Sequence, residues 1–362
     1  MSEQPTVSPE PPTDSTVASQ FDKIQPLVAA EYNIEEAFIE HGVPTFYVSL
    51  RPDSKQAFTR LVKSLANIGF APVLRERSGR NVLKVASKPQ TKPSRPIINV
   101  ILLLVTIATV FVTGYILSTG ITDPLIGAAS FTLALLGILG VHEMAHKFAA
   151  NHHNMEASMP YFIPGPPPFL GFLGLGTFGA VIVQKETAPN KDALFDIGAS
   201  GPIAGFIVTV FVSAIGLYLS HVEPMPSDFG GGLPISPLFL ILMDLIVKLP
   251  GPGSYVVYLH PVAFAGWIGM FVTLLNLLPT GMLDGGHTLR SIINNDTART
   301  AFTLISILLL LFTEQWIMLA FVLFLSMYKH PGPLDDVSKL SLSRKLLAVS
   351  LVVIFALCLF IF

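Results

Sequence analysis

Runs of roughly twenty apolar residues recur along this 362-residue chain, and a run of that length crosses a bilayer as a helix. That feature limits the folds open to it more than any other. Of the residues, 51% are hydrophobic and only 13% charged, whereas an ordinary soluble domain carries about a quarter charged residues. The expected fold class is a polytopic α-helical membrane protein, with about six transmembrane helices and up to about eight, and a small N-terminal α/β soluble domain. The spans are predicted over 97–118, 126–150, 192–219 and 260–279, as one kinked or two short helices over 298–328, and over 342–362. Residues 236–249 are apolar but too short for a full crossing, so a partial or interfacial helix is expected there.

The N-terminal part divides further. Residues 1–19 are rich in Pro, Ser and Thr, contain Glu3, Glu10 and Asp14 but no Lys or Arg, and read as a disordered tail. They match neither a signal nor a transit pattern. Residues 20–87 form the predicted soluble domain: a helix over Phe21–His41, a strand at Val43–Leu50, and a helix carrying Phe58, Leu61, Val62, Leu65 and Ile68 on one face. A hairpin turns at Ser78-Gly79-Arg80. The resulting β-α-β-β order suggests a ferredoxin-like half or a small sandwich. Residues 88–96 are a basic, Pro-rich linker, and 97–362 are the membrane domain.

Lys and Arg orient the spans. Lys88, Lys92 and Arg95 precede the first; Lys147, Lys185 and Lys191 lie between the second and third; Arg290 and Arg299 follow the fourth; Lys329, Lys339, Arg344 and Lys345 precede the last. The intervening loops contain only Lys248. All basic segments fall on one side, which puts the N-terminal domain in the cytoplasm of a multi-pass protein, expected in the cell membrane of a prokaryote. The net charge of −2 offers nothing to a nucleic-acid partner. The single Cys358 excludes an internal disulfide and a cysteine-rich metal site.

The chemistry concentrates in His142-Glu143-Met144-Ala145-His146, at the end of the second apolar run. Residues four apart on a helix share a face, so both imidazoles can reach one Zn²⁺. Glu143 stands too close to His142 along the helix to be a natural third ligand, and can instead hold a water and take its proton. Ionisable residues at membrane depth are costly and functional by default. A catalytic zinc site needs a third protein ligand. Asp284 suits it: it lies in Asn276-Leu277-Leu278-Pro279-Thr280-Gly281-Met282-Leu283-Asp284-Gly285-Gly286-His287, where a membrane helix breaks on the same predicted side. His152 and His153 read as loop residues, and His41, His221, His260 and His330 as solvated ones. Asp196 reads as an interfacial or capping carboxylate.

With these two motifs the chain resembles the site-2 protease family of intramembrane zinc metalloproteases. The family pairs HExxH with a later Asn-x-x-Pro-x-x-x-x-Asp-Gly, matched here by His142, Glu143 and His146 and by Asn276, Pro279, Asp284 and Gly285. The resemblance extends to Leu175-Gly176-Thr177-Phe178-Gly179-Ala180, to Phe195 through Gly205, and to His330-Pro331-Gly332-Pro333, and so covers residues 97–345. It implies one Zn²⁺ per chain held by His142, His146 and Asp284, with Glu143 as the catalytic residue. The small N-terminal domain is similar to that of extended archaeal, cyanobacterial and plastid members. Neither a PDZ-like insertion nor a CBS-like pair is evident, so regulation by those modules is not implied.

The expected function is an intramembrane zinc endopeptidase acting on transmembrane proteins in a lipid bilayer. Thr177, Phe178 and Gly179, in a segment of strand character, are candidates for holding an unwound substrate by strand addition. Asn276 is a candidate donor to a developing oxyanion. Gly201 and Gly205 form a small-x-x-x-small step that lets the third helix dock closely beside the second. The alternatives are a metal-handling or transport protein, which predicts further intramembrane ligands and an inverted repeat, and a non-catalytic scaffold, which predicts loss of Glu143 or a ligand. Neither signature is present in the sequence.

Overall fold

A computed structural model describes residues 14–88, 96–168, 174–226, 231–312, 316–326 and 330–360. The chain divides into two compact units: the smaller comprises the described residues of Met1–Thr91 with Pro189–Lys191 and Pro333–Lys339, and the larger comprises the rest.

In the smaller unit, helices α1 (Asp14–Glu31) and α2 (Ser54–Ala66) accompany strands β1 (Asn33–Glu40), β2 (Val43–Ser49), β3 (Phe70–Arg77) and β4 (Arg80–Ser87). The sheet order is β1-β2-β4-β3, antiparallel throughout. Phe46, Val48, Leu74, Leu83 and Val85 meet Ile24, Val28, Phe58, Leu61 and Leu65 in one core. The helix expected over Phe21–His41 is corrected in its second half, where Asn33–Glu40 pairs with β2. His41 and Gly42 both have positive φ (52° and 77°), the tight-turn signature that favours a hairpin over helix continuation. The expected tail also changes: 1–13 lie outside the described residues, and α1 begins at Asp14. The predicted hairpin at Ser78-Gly79 is present, both residues again at positive φ.

Two remote pieces complete this unit. Leu74 N–H donates to Leu334 O at 2.9 Å, and Asp336 N–H donates to Leu74 O at 3.2 Å. Leu334–Asp336 thus continues the sheet past the β3 edge, and Asp335 N–H in turn donates to Pro189 O. Covering an edge in this way satisfies backbone groups that would otherwise template association.

In the larger unit, α3 (Pro96–Ser118), α4 (Pro124–His152) and α5 (Lys191–Leu219) are, among the described residues, the helices long and apolar enough to cross a membrane. The remaining helices are α6 (Pro237–Ile246), α7 (Pro261–Leu277), α8 (Asp284–Ile292), α9 (Asp296–Phe312), α10 (Trp316–Ser326) and α11 (Leu342–Cys358), each 17 residues or shorter. The 298–328 segment contains α9 and α10, while Thr313, Glu314 and Gln315 lie outside the described residues. Leu133, Phe211, Ile215 and Tyr218 are more than half exposed on α4 and α5, an apolar surface that only lipid or a partner would cover.

Local signals account for the helix starts. Asp123 accepts from the Leu125 and Ile126 N–H groups and Pro124 follows it at the start of α4. His260, expected to be solvated, is buried and its ring accepts from the Val262 N–H at the start of α7. Both caps satisfy amides that the first helical turn leaves without partners. Two small antiparallel sheets, the hairpin of β5 (Tyr161–Pro164) with β6 (Thr177–Val181) and the pair of β7 (His221–Pro224) with β8 (Tyr255–Tyr258), complete the unit.

Candidate metal centre

Helix α4 buries His142, Glu143 and His146 together, as spacing by one and by four requires on an inward face. Their depth comes from α5, whose glycines lie directly against the imidazoles. A methyl group at Gly201 would stand 2.1 Å from His146 Nε2, and one at Gly205 would stand 3.0 Å from His142 Nδ1. One turn earlier, Gly198 is as close to Asp284 O and the His287 Cβ. The same side of α5 therefore abuts both α4 and α8.

Asp284 arrives from the other direction. Helix α7 ends at Leu277. Residues 278–283 then reverse the chain, with Gly281 at φ 53°, and Asp284 opens α8. Its Oδ2 is 3.2 Å from both His142 Nε2 and His146 Nε2, and the two Nε2 atoms are 3.1 Å apart. Among the described residues this is the group of His and Asp side chains that could hold a metal ion.

The donor chemistry tests that possibility. His146 Nδ1 is 2.6 Å from Ile197 O; a carbonyl only accepts, so Nδ1 carries the proton and Nε2 keeps a bare lone pair. Asp284 Oδ2 is buried and receives no hydrogen bond among the described residues. With His142 Nε2 likewise unprotonated, three lone pairs would face one another in a buried place, an arrangement that is costly unless a cation is held there. The separations also match the edges, about 3.3 Å, of a tetrahedron with arms of roughly 2 Å, the zinc geometry.

Around this centre the structure distributes the other candidates unevenly. Asn276 Nδ2 is 3.4 Å from His142 Nε2, so its amide lies beside the triad. Glu143 accepts a hydrogen bond from the Ile182 backbone, the residue after β6. That contact brings the β5–β6 hairpin to the centre. Within the hairpin, Thr177 is buried, its Oγ1 donating to Ile163 O at 2.8 Å and accepting from Gly179 N–H at 3.0 Å. Gly179 has φ 102°. Phe178 is 73% exposed, and β6 pairs only with β5 among the described residues.

Several histidines differ from their expected places. His152 is the last residue of α4, not a loop residue. His153 Nε2 is 2.8 Å from Asp196 Oδ2, while Arg344 of α11 donates from Nε to Asp196 Oδ1 at 2.8 Å. Asp196 thus ties the ends of α4, α5 and α11 together. His330, expected in solvent, is 2.6 Å from His287. No sequence pattern pairs residues that far apart.

Comparison with known proteins bears on what this centre is. The family model of Peptidase family M50 matches residues 130–313, from within α4 to the end of α9. The chain belongs to peptidase family M50. The chain is also 35% identical over 176 residues to "Probable zinc metalloprotease EGY1, chloroplastic" of Arabidopsis thaliana, covering 46% of this chain and 30% of that protein. The rice (Oryza sativa subsp. japonica) protein of the same name is 33% identical over 171 residues, covering 44% of this chain and 28% of that protein. "Probable zinc metalloprotease EGY2, chloroplastic" of Arabidopsis is 30% identical over 204 residues, covering 51% and 34%. The match thus spans about a third or less of each relative's length. No solved structure matches. M50 membership and the His-His-Asp group together imply Zn²⁺ as cofactor.

Proposed function

We propose that this M50 chain is an intramembrane zinc endopeptidase that hydrolyses peptide bonds of membrane-anchored proteins within or near the bilayer. One observation carries the reading: two imidazole nitrogens and a carboxylate oxygen, each a possible metal ligand, converge within 3.2 Å of one another, and both imidazoles and Glu143 stand on a helix long and apolar enough to span a membrane. His142, His146 and Asp284 would hold the metal. Bound there, zinc supplies Lewis acidity to a water molecule and to the scissile carbonyl.

The rest of the reaction belongs to the protein. Glu143 takes the proton of the attacking water and passes it to the leaving amine nitrogen, so the carboxylate is restored in each turnover. The Ile182 N–H holds that carboxylate in place. The Asn276 amide, beside the triad, donates to the oxygen on which negative charge develops. A helical substrate protects its own peptide bonds and must unwind before it is cut. The free edge of β6 offers main-chain partners for the unwound stretch, with Phe178 exposed to meet its side chains. Thr177 and Gly179 shape that strand.

The wider reading has about six spans: α3, α4, α5, α7, the α9–α10 segment and α11, with α6 partial. The loops with Lys and Arg face the cytoplasm, the soluble domain lies on that side, and the membrane is the cell membrane of a prokaryote. Residues 20–87, completed by 189–191 and 333–339, form the soluble domain, and the rest of 97–362 the protease domain.

The test is purified protein in detergent with a labelled single-span substrate. Wild type should bind one equivalent of zinc and cleave; Glu143→Gln should bind zinc equally and not cleave. If both bind zinc and behave alike toward the substrate, the peptidase reading fails.

A further inference from the structure

Asp284 Oδ2 has no hydrogen-bond donor of its own among the described residues. Its position is therefore set by the helix that carries it, and α8 is only nine residues long. His287 and Arg290 follow at spacings of three, along one side of that helix. The segment His330–Gly332 lies on both.

The hydrogen bonds there run in one direction. The Gly332 N–H donates to His330 Nδ1 at 2.9 Å, so that nitrogen bears no proton. Burial, together with His287, Arg290 and Arg299 nearby, pushes the His330 pKa down to about 3, and the neutral ring carries its proton on Nε2. That proton faces His287 Nδ1 at 2.6 Å, which accepts it. Gly332 is needed for the approach: its φ is +77°, and a methyl group would stand 2.4 Å from Arg290 Nη2. Arg290 is itself buried. On α5, a methyl group at Gly198 would meet the His287 Cβ at 2.8 Å. His287 is thus in contact with α5 and hydrogen-bonded to His330.

We propose that His287 and His330 are positioning residues for the metal centre: their hydrogen bond fixes the rotation of α8 and so holds Asp284 Oδ2 in line with His142 and His146. The proposal rests on the reading that those three residues hold zinc. Groups behind metal ligands are worth about 10–100-fold in metal affinity.

The test measures zinc affinity of the full chain in detergent by competition with a chromophoric chelator, beside thermal stability. His330→Ala and His287→Ala should each weaken zinc binding about tenfold to a hundredfold. His330→Gln, which can present an amide N–H where Nε2 stands, should restore affinity near wild type. His330→Asn, which keeps only the acceptor for Gly332, should not. The double variant His287→Ala/His330→Ala should be no weaker than the weaker single variant, because both remove one bond. Equal zinc affinity in wild type and His330→Ala would overturn the proposal. So would equal losses in His330→Gln and His330→Asn, a comparison that stands even if the alanine variant unfolds. A wild-type chain whose zinc binding is unchanged by His142→Ala would instead sink the metal-centre reading on which the proposal depends.

Discussion

Adding one methyl group at Gly201 should damage the metal centre while leaving every ligand residue chemically unchanged. In Gly201→Ala the new Cβ would stand 2.1 Å from His146 Nε2, 2.5 Å from Cε1 and 2.6 Å from Cδ2. Ordinary carbon contacts begin near 3.5 Å, so the imidazole or α5 must move by roughly 1.4 Å. The imidazole has little room: its Nδ1 is held 2.6 Å from Ile197 O on that same helix. A misplacement of about 1 Å in a catalytic group costs about a hundredfold in rate, and overpacking costs about 1–3 kcal/mol in stability. Gly205→Ala is the built-in control, because its Cβ would stand 3.0 Å from His142 Nδ1 and needs only a few tenths of an ångström. Cleavage of a labelled transmembrane substrate in liposomes should therefore fall about a hundredfold in Gly201→Ala and by no more than about fivefold in Gly205→Ala. Zinc affinity should fall in the same order. A Gly201→Ala protein that cleaves like wild type, or a Gly205→Ala protein that is the worse of the two, would refute the account of α5 as the wall of the site.

Other expectations follow from single contacts. Asp284→Ala should lose most zinc binding, since two imidazoles then remain where a catalytic site uses three protein ligands; full retention, measured by metal analysis, would remove Asp284 from the ligand set. Thr177→Val deletes the hydroxyl that joins Ile163 O and the Gly179 N–H, worth about 1 kcal/mol or more. It should lower cleavage by about fivefold to tenfold, mainly through KM, with zinc content unchanged. Phe58→Ala removes a fully buried ring from the core of the smaller unit and should cost about 3–5 kcal/mol, read as faster amide exchange in β2 and β4. Arg344→Ala removes one of the two side chains that bond Asp196 among the described residues and should lower the melting temperature while leaving zinc affinity intact.

The parts of this centre that a sequence can reveal are those that follow from local periodicity. Spacing by four puts His142 and His146 on one face whatever surrounds the helix. The Pro and Gly residues before Asp284 announce a broken helix, and broken backbone at membrane depth needs a reason. The close approach at Gly201 and Gly205 was likewise readable from two small residues one turn apart. Contacts made by the fold alone were not readable. His287 and His330 meet through a 43-residue separation, and the Ile182 amide reaches Glu143 from a segment whose sequence reads only as a strand. In the soluble domain, Asn33–Glu40 reads as helix from its sequence because Glu and Ala favour helices. Pairing with β2 outweighs that preference, since the His41-Gly42 turn sets the two segments side by side.

The most direct test of the central claim is to identify the bond that is cut. Purified protein and a single-span substrate in liposomes, analysed by mass spectrometry, should yield product termini inside the apolar segment or at its edge. Those products should be absent with Glu143→Gln. Termini confined to the soluble tails of the substrate, or the same termini from Glu143→Gln, would contradict an active site at membrane depth built on Glu143.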